Sequence, residues 1–483
     1  MVVFLTGCLE QQPISEIGEG SFYETTEQIN AAVVACYNGL QAPMRNEWML
    51  TELRSDNARL RTTATSSGDN TLLMDLDQQA ASSSNKRIYE YWLASYNNIS
   101  RCNTVLGNLD VVNDAAIRNQ YEGEALFIRS YHYFNLVRLF GPLFIVTERI
   151  SAAEAKKYDR KSVVLVYTQI IDDLNAIIDD NKLPTAYPSD QKGRITVWAA
   201  KSLLAKVYMT RHESGDYDLA ELLLKDVIDN SGHSLVLTSY ADVFSITNEL
   251  NNEIIFTVRY TSGGYGLGCP FGNLFAPDQS GSNVINGDGS ANNYPSSSLA
   301  QAYTANDARK DATIALNYES KLPNGATEIV DRRYVTKYLS PVATRYDGDK
   351  DWPVIRFADI VLLYAEVINE KEGPDAALPF INQTRTRADL VEIISANVPT
   401  KHAMRMEIEK ERRLELAYEN HRWFDLLRTG RAISVINKHL QSDEFEEYYS
   451  KVPFSLLNEN TILLPIPQDE LNINPNIAQN PGY

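Results

Sequence analysis

The chain has 483 residues, which is ample for a large buried core in one big domain or two ordinary ones. Its composition, 44% hydrophobic and 22% charged, is that of a globular protein. The formal net charge of -18 argues against nucleic acid as a partner, because such a chain repels a phosphate backbone. No apolar run approaches the length that spans a bilayer.

The first residues, MVVFLTGCLEQQP, combine a short apolar run with a cysteine. Leu5-Thr6-Gly7-Cys8 resembles a bacterial lipobox, in which the signal peptide is cleaved before a cysteine that then carries lipid. The basic segment of a signal peptide is missing and the apolar run is short, so we interpret this segment as the end of a truncated signal peptide. The alternative is a chance Gly-Cys pair. The predicted division is a truncated signal peptide at 1–8, a tether at 9–21, and a single α-helical domain at 22–483 with halves at about 22–230 and 250–483.

The remaining cysteines and the histidines show no pattern of a metal or redox site. Cys36, Cys102 and Cys269 match no zinc or redox spacing, and Cys36 and Cys102 fall within helical patterns that predict buried, unreactive thiols. The six histidines are scattered without ligand spacing. The sequence therefore predicts no metal site and no cofactor.

Helical periodicity dominates the first half of the predicted domain. Thr25 and Gln28 form a capping box, after which apolar residues recur on one face until Pro43 marks the predicted end. Residues 59–86, rich in Ser, Thr and Asn, are predicted to form a loop. Further amphipathic helices are predicted in IYEYWLASYNNISRCNTVLGNL, AAIRNQYEGEALFIRSYHYFNLVRLFG, VYTQIIDDLNAIIDD and TVWAAKSLLAKVYMTRH.

Two segments carry the spacing of a tetratricopeptide repeat, in which small residues let paired helices approach and bulky residues fill the seam between them. The repeat positions are Ala365, Ile368, Ala377, Ile381 and Thr384 in one segment, and Ala205, Tyr208, Ala220, Leu224 and Val227 in the other. Each match is weak by itself. Two of them in a helix-rich chain predict a stacked helical layer.

Between these segments, NNEIIFTVRY predicts a strand that leads into a long Gly-, Ser- and Asn-rich stretch, TSGGYGLGCPFGNLFAPDQSGSNVINGDGSANNYPSSS. A stretch of this length inside a compact domain is usually functional or disordered, and its aromatic residues argue against disorder. The spacing Gly264-x-Gly266-x-Gly268 is not that of a dinucleotide-binding loop. The sequence also lacks a Walker motif, H-E-x-x-H and G-x-S-x-G, so catalysis has no positive support.

The stretch KERRLELAYENHRWFDLLRTGRA has the densest chemistry in the chain and is predicted to form one helix. Glu409 and Arg413 have the i,i+4 spacing of an ion pair, and Gly430 stands where a helix-terminating glycine belongs. The interleaved charges predict partly buried Arg/Glu pairs, with His421 structural rather than a general base. The predicted helical face consists of Leu414, Ala417, Tyr418, His421 and Phe424.

That stretch closely resembles the signature of the SusD/RagB family of outer-membrane nutrient-binding lipoproteins. DWPVIRFADIVLLYAEVINE is similar to the family's Arg-x-Ala-Asp helix, LLPIPQDELNINPNIAQNPGY to its C-terminal tail, and FYETTEQINAAVVACYNGL to its first helix. With the lipobox, the resemblance runs from Cys8 to Tyr483 in the family's order.

The resemblance implies a mainly α-helical fold in which tetratricopeptide-like helical pairs support an irregular, loop-rich face with a few short strands. It implies a lipoprotein anchored through Cys8 in the outer membrane and exposed at the cell surface. There it would bind a glycan or a peptide and deliver it to a SusC-like TonB-dependent transporter, without being an enzyme.

The ligand contacts of the family lie in variable loops, so the candidates come from physical chemistry. A sugar ring has apolar C–H faces and a rim of hydroxyls, which suits aromatic rings beside amide, carboxylate or guanidinium groups. Residues 59–86, where a sugar-stacking aromatic is expected, contain none, which argues against starch specificity. For each aromatic candidate the alternative is a loop anchor packed on the helices. The candidates are Tyr265, Phe271, Asn273 and Tyr294 in the long loop, with Trp48, Arg59, Asp69 and Asn70 as neighbours.

Two other functions stay open at this point. The same scaffold could bind peptides, or act mainly as a transporter lid or a partner-binding repeat protein. A helical glycoside hydrolase would need two carboxylates facing each other across a cleft, and it is the weaker alternative. The sequence does not name the glycan or the transporter.

Overall fold

A computed structural model describes residues 22–61, 69–322, 324–445 and 454–483. The predicted lipidation site Cys8 and the tether at 9–21 lie outside the described residues, so that part of the division stays a prediction. Within these ranges, no helix combines the length and the apolar character needed to cross a membrane.

The protein is mainly α-helical, as predicted. The helices of the first half are α1 (Thr26–Asn38), α2 (Gln41–Leu50), α3 (Asp69–Asp77), α4 (Lys86–Leu106), α5 (Ala115–Phe140), α6 (Ala152–Ala155), α7 (Val163–Asp179), α8 (Val197–Arg211) and α9 (Asp216–Asn230). Those of the second half are α10 (Phe271–Phe275), α11 (Ser297–Ala302), α12 (Lys310–Thr313), α13 (Phe357–Lys371), α14 (Pro374–Arg387), α15 (Lys401–Glu415), α16 (Arg422–Arg428), α17 (Ala432–Leu440) and α18 (Gln468–Ile473).

The described strands are short and pair two by two, always antiparallel. They are β1 (Ala58–Arg59), β2 (Ile254–Val258), β3 (Tyr294–Pro295), β4 (Ile314–Lys321), β5 (Thr327–Val335) and β6 (Trp352–Arg356). β1 pairs with β3, β2 with β6, and β4 with β5. The predicted strand after residue 250 is therefore confirmed as β2, and it pairs with a strand about one hundred residues later.

Both predicted repeat pairs form, because α8 packs on α9 and α13 on α14. Every predicted seam residue is buried, including Ala205 and Ala365, whose small side chains let the paired helices approach. The layer continues from α5 through α7, α8 and α9 to α13, where it crosses from the first half of the chain to the second.

The first predicted helix is confirmed at its start and corrected at its end. The Thr25 hydroxyl accepts a hydrogen bond from the backbone N–H of Gln28. The side-chain oxygen of Gln28 accepts one from the backbone N–H of Thr25, which completes the capping box. Pro43, predicted to follow the helix, lies in the first turn of α2, where its missing N–H removes no helical hydrogen bond. Cys36 and Cys102 are buried as predicted, and burial raises the pKa of Cys102 well above its ordinary value.

The prediction that 59–86 is entirely loop was wrong for residues 69–77, which form α3. Leu73, Met74 and Leu76 are buried on that helix. These apolar residues anchor a short amphipathic helix that the polar composition of the region conceals.

The prediction of one helix through the densest stretch was also wrong. α15 ends at Glu415, and a turn with left-handed Tyr418 (φ 65°) and Asn420 (φ 65°) separates it from α16. The turn frees backbone carbonyls for side-chain donors: the Tyr338 hydroxyl donates to the carbonyl of Tyr418 at 2.8 Å, and Lys337 donates to that of Ala417 at 2.7 Å.

The ion pairs around this turn also differ from the predicted one. Glu409 does not pair with Arg413; it pairs with Arg422 at 3.2 Å and Arg431 at 2.7 Å, while Arg413 pairs with Asp56 at 3.1 Å. Because the chain turns after α15, partners distant in sequence come closer to these side chains than the neighbours one helical turn away.

The predicted helix end and the predicted buried pairs are confirmed. Gly430 has a φ of 68° after α16, and its backbone N–H donates to Leu427 at 3.1 Å. Arg356 donates from Nε and Nη2 to Glu419 at 2.7 and 2.9 Å, and Lys337 donates to the same carboxylate at 2.7 Å. Burial alone raises the pKa of Glu419, but these cations hold it below its ordinary value.

Candidate ligand-binding face

The long loop folds against a second loop, and together residues 259–298 and 336–351 form what we call the loop face. Asn273, predicted as a ligand contact, is 1% exposed and ties the two loops together. Its amide donates to the carbonyls of Asn286 at 2.9 Å and Asp288 at 2.8 Å, and its carbonyl accepts from the backbone of Tyr346 at 2.9 Å. Asn273 therefore fixes the shape of the face from within.

Tyr265 stands on the loop face with 76% of its surface exposed. Three alternating aspartates of the second loop hold the backbone around it. Asp347 accepts from the N–H groups of both Gly263 and Gly264 at 2.9 Å, which fixes the two residues next to the tyrosine. Asp349 and Asp351 accept from Ser262 at 2.7 Å and Tyr260 at 2.8 Å. The tyrosine is thus an exposed ring on a loop whose backbone is held just before it, from Tyr260 to Gly264.

Gly263 leaves room for the Tyr265 ring. Its φ is 122°, and a Cβ built there would lie 2.6 Å from Cε2 of Tyr265. The ring lies against the backbone of its own loop because this residue has no side chain.

Tyr346 lies beside Asp347 on the same face and was missed by the sequence analysis. It has a φ of 66°, a conformation that a bulky residue keeps only when its surroundings hold it there. Its hydroxyl is 2.9 Å from Oγ of Ser290, and the Arg345 guanidinium lies 4.6 Å from its ring centroid. The alternation of aspartates in RYDGDKD was the signal that this segment faces another chain segment.

Tyr294 and Arg59 were both predicted contacts, and the structure brings them together. They are directly opposite each other in the β1–β3 pair, with the Arg59 guanidinium 4.5 Å from the ring centroid. Arg333 lies 5.1 Å from the same ring. Tyr294 is only 9% exposed, because these guanidinium groups and Glu444, which pairs with Arg59 at 3.0 Å, enclose it.

A group of partly exposed charged side chains next to the Tyr294 cluster, which we call the polar rim, was also missed by the sequence analysis. Asp278 accepts from Arg61 at 2.6 Å and from Arg332 at 3.0 Å, and all three side chains are partly exposed. The side chains come from residues more than fifty positions apart, so no local pattern in the sequence signals the cluster.

Of the four remaining predicted ligand contacts, two are buried in the core and two belong to α3. Phe271 and Trp48 are fully buried: Phe271 packs on Trp352 at 4.4 Å between ring centroids, and Trp48 packs on Phe275 at 5.2 Å. Both rings therefore have the packing role that was the alternative for each aromatic. Asn70 is exposed on α3, and Asp69 begins that helix, with its side chain outside the described part.

One acidic group near the base of the Tyr265 loop has a strongly shifted pKa. Burial raises the pKa of Glu249 to about 7, and the neighbouring Asp351 adds to the rise, while Arg259 opposes it. Arg259 pairs with Glu249 at 3.2 Å and with Asp351 at 3.1 Å. Burial accounts for most of the rise, and one guanidinium shared between two carboxylates does not cancel it.

Comparisons with known proteins give a consistent result along the chain. A family model for starch-binding proteins that associate with the outer membrane matches residues 9–209, and the SusD family model matches residues 317–483. The long loop with Tyr265 lies between the two matched ranges. A SusD-like protein of Formosa agariphila is 27% identical and covers 98% of this chain and 96% of its own length. A SusD-like protein of Bacteroides ovatus is 26% identical, with coverage of 81% and 80%.

Solved structures share the fold over nearly the whole chain. The surface glycan-binding protein A of Bacteroides thetaiotaomicron, in complex with laminarihexaose, has a TM-score of 0.79 at 23% identity and covers 94% of this chain and 99% of its own. A laminarin-binding SusD-like protein has a TM-score of 0.78 at 25% identity, with coverage of 95% and 100%.

Proposed function

Because this chain belongs to the SusD/RagB family, we propose that it captures a glycan at the cell surface and delivers it to a TonB-dependent outer-membrane transporter. We propose binding without catalysis. The carboxylates of the densest stretch support this, since Glu411, Glu415 and Asp425 are buried and each is paired with at least one arginine. Paired, charged carboxylates of this kind hold elements together and offer no free acid or base.

The exposed Tyr265 is the observation that carries the proposal. Asp347 holds the backbone of Gly263 and Gly264 just before it, so little backbone conformational entropy is lost when a ligand stacks on the ring. The apolar C–H face of a sugar suits such a ring, and Arg345 and Tyr346 supply hydrogen-bonding groups on the same face. Asn70, Arg61 and Asp278 remain candidates for the rim.

For the glycan we propose laminarin-type glucan before starch. Of the two neighbours described above, one is named as laminarin-binding and the other is in complex with laminarihexaose, and the SusD-like fold is shared over nearly the whole chain. The absence of any aromatic residue from positions 59–86 argues against starch.

Affinity electrophoresis of the protein starting after Cys8 tests this, in native gels that contain laminarin, starch or no polysaccharide. We expect laminarin to retard the wild type and Tyr265→Ala to lose most of the retardation, because loss of one stacking ring costs about 1–3 kcal/mol. Tyr346→Ala should weaken it less, since that ring is only partly exposed.

The matched control is Leu237→Ala, which removes an apolar side chain that is 78% exposed but lies outside the loop face. It should leave the retardation unchanged. If laminarin retards the wild type and Tyr265→Ala equally, the site lies elsewhere. If no polysaccharide retards the wild type, calorimetry with oligosaccharides and with peptides decides between a short glycan and peptide cargo.

We also propose that Cys8 carries the lipid that anchors the chain. Its place after Leu5-Thr6-Gly7 supports this, and so does Glu10, an acidic residue soon after the cysteine that suits export to the surface. The test is expression of the chain behind a complete signal peptide in a Gram-negative host supplied with labelled palmitate. Cys8→Ser should lose the label and leave the membrane fraction, whereas Cys36→Ser should keep both; equal labelling of the two variants would exclude Cys8.

A further inference from the structure

A cavity whose lining includes no residue of the loop face lies among α4, α18 and residues 144–158. It has a volume of about 200 Å3. The rings of Trp92, Tyr96 and Phe144 line it, with ring centroids 4.9 to 6.2 Å apart. We call it the aromatic cavity.

The walls of the aromatic cavity are fixed by hydrogen bonds behind them. The Tyr96 hydroxyl donates to the carbonyl of Phe144 and accepts from its N–H, both at 3.1 Å, so one side chain satisfies both backbone groups of that residue. Alternate residues of this segment, Phe144, Val146 and Glu148, then line the cavity, as in an extended chain. Asn474, the residue after α18, donates to the carbonyl of Tyr158 at 3.0 Å and holds the opposite wall.

The charges at the aromatic cavity have one sign. Glu148 and Glu470 line it, and none of the described residues that line it is Lys or Arg. Glu470 is half-buried, and burial raises the pKa of its carboxyl above the ordinary value, although a hydrogen bond from Trp92 opposes the rise. None of the described residues that line the cavity supplies a cation to this carboxylate, and a bound organic cation would do so.

We propose that the aromatic cavity binds an organic cation whose charge is carried on an apolar body, such as a quaternary or alkyl ammonium group. Anions are repelled by the two carboxylates, and a small hydrated metal ion gains nothing from aromatic and aliphatic walls. An alkylated ammonium group suits both the aromatic walls and the carboxylates. Its methyl groups pack on the rings, and its charge is attracted by the ring faces and by Glu470.

Ligand-observed NMR titration of the protein with choline tests the proposal, with 3,3-dimethylbutan-1-ol, its neutral isostere, as the comparison ligand. We expect choline to bind with a Kd on the order of 1 mM and the isostere to bind at least about tenfold more weakly. Glu470→Gln should weaken choline binding about tenfold and leave the isostere unaffected.

The matched control is Asp469→Asn, which removes the same charge one residue earlier, on an exposed side chain that does not line the cavity. It should change choline binding less than about twofold. Equal binding of choline and the isostere would overturn the proposal, because the cavity would then be an apolar site without charge selection. Equal losses in the two variants, or no choline binding by the wild type, would also overturn it. None of these results bears on glycan capture by the loop face.

Discussion

Glu52 and Asp56 are buried carboxylates four residues apart whose pKa values shift in opposite directions. Asp56 pairs with Arg422 at 2.7 Å and Arg413 at 3.1 Å, and these guanidinium groups hold its pKa well below the ordinary value although burial alone raises it. Glu52 is contacted by the neutral amide of Asn57 at 3.2 Å, and burial raises its pKa to about 7. The identity of the partner decides the direction of each shift.

The raised pKa of Glu52 predicts a loss of stability as the pH rises. A carboxyl with a higher pKa in the folded state stabilises fully below its unfolded pKa, and the contribution is lost as the pH rises through about 7. Between pH 5.5 and 8.5 this amounts to about 2 kcal/mol. Glu52→Gln has no charge to gain, so its free energy of unfolding should fall less than that of the wild type over this range by about that amount.

Urea denaturation of both proteins at the two pH values measures this difference. A difference in free energy of unfolding that is the same at both pH values does not affect the test, because only the change with pH is compared between Glu52→Gln and the wild type. Glu372→Gln is the control, since Glu372 is exposed at the end of α13 and should leave the pH dependence unchanged. Parallel pH curves for Glu52→Gln and the wild type would show that Glu52 is already charged in the folded protein at pH 5.5.

At the scale of elements, sequence periodicity predicted the helices well where one apolar face is buried, as in α4 and α9. α5 and α13 also form as predicted helices, but they are buried on nearly all sides rather than along one face. The break between α15 and α16 could not be predicted in this way, because the apolar spacing continues through it. The break exists because Lys337, Arg356 and other distant donors bind the carbonyls and carboxylates that the turn presents, and these donors are not visible in the local pattern.

The candidate site was predictable in composition but not in detail. The sequence singled out the aromatic loop, yet it could not rank Tyr265 above Phe271, because burial of the second ring depends on Trp352, some eighty residues away. Tyr346 was missed for a related reason: its loop reaches the face through Asn273 and three aspartates, and each of these contacts joins distant parts of the chain.

At the scale of the molecule, Arg356 joins regions that are far apart in sequence. It is 1% exposed at the end of β6, and it pairs with Glu253 just before β2 and with Glu415 and Glu419 at the turn between α15 and α16. Arg387 of α14 pairs with Glu253 at 3.1 Å and extends the same network. The network therefore connects α14 and the β2–β6 pair to the turn between α15 and α16.

Arg356→Met should destabilise the protein strongly, because it leaves buried carboxylates without their main counter-charge. Loss of one partner of a buried ion pair costs about 3–5 kcal/mol, whereas an exposed pair contributes at most about 1 kcal/mol. Arg405→Met provides the matched control. Arg405 forms a bidentate pair with Glu370, with Nε donating at 2.6 Å, but its side chain is about half exposed. In urea denaturation at pH 7, the free energies of unfolding of the two variants should differ by at least about 2 kcal/mol. The loss for Arg387→Met should be closer to that of Arg356→Met than to that of Arg405→Met.

If Arg356→Met and Arg405→Met lose similar amounts of stability, the buried network does not hold these regions together, and the apolar seams of the repeat layer alone account for the fold.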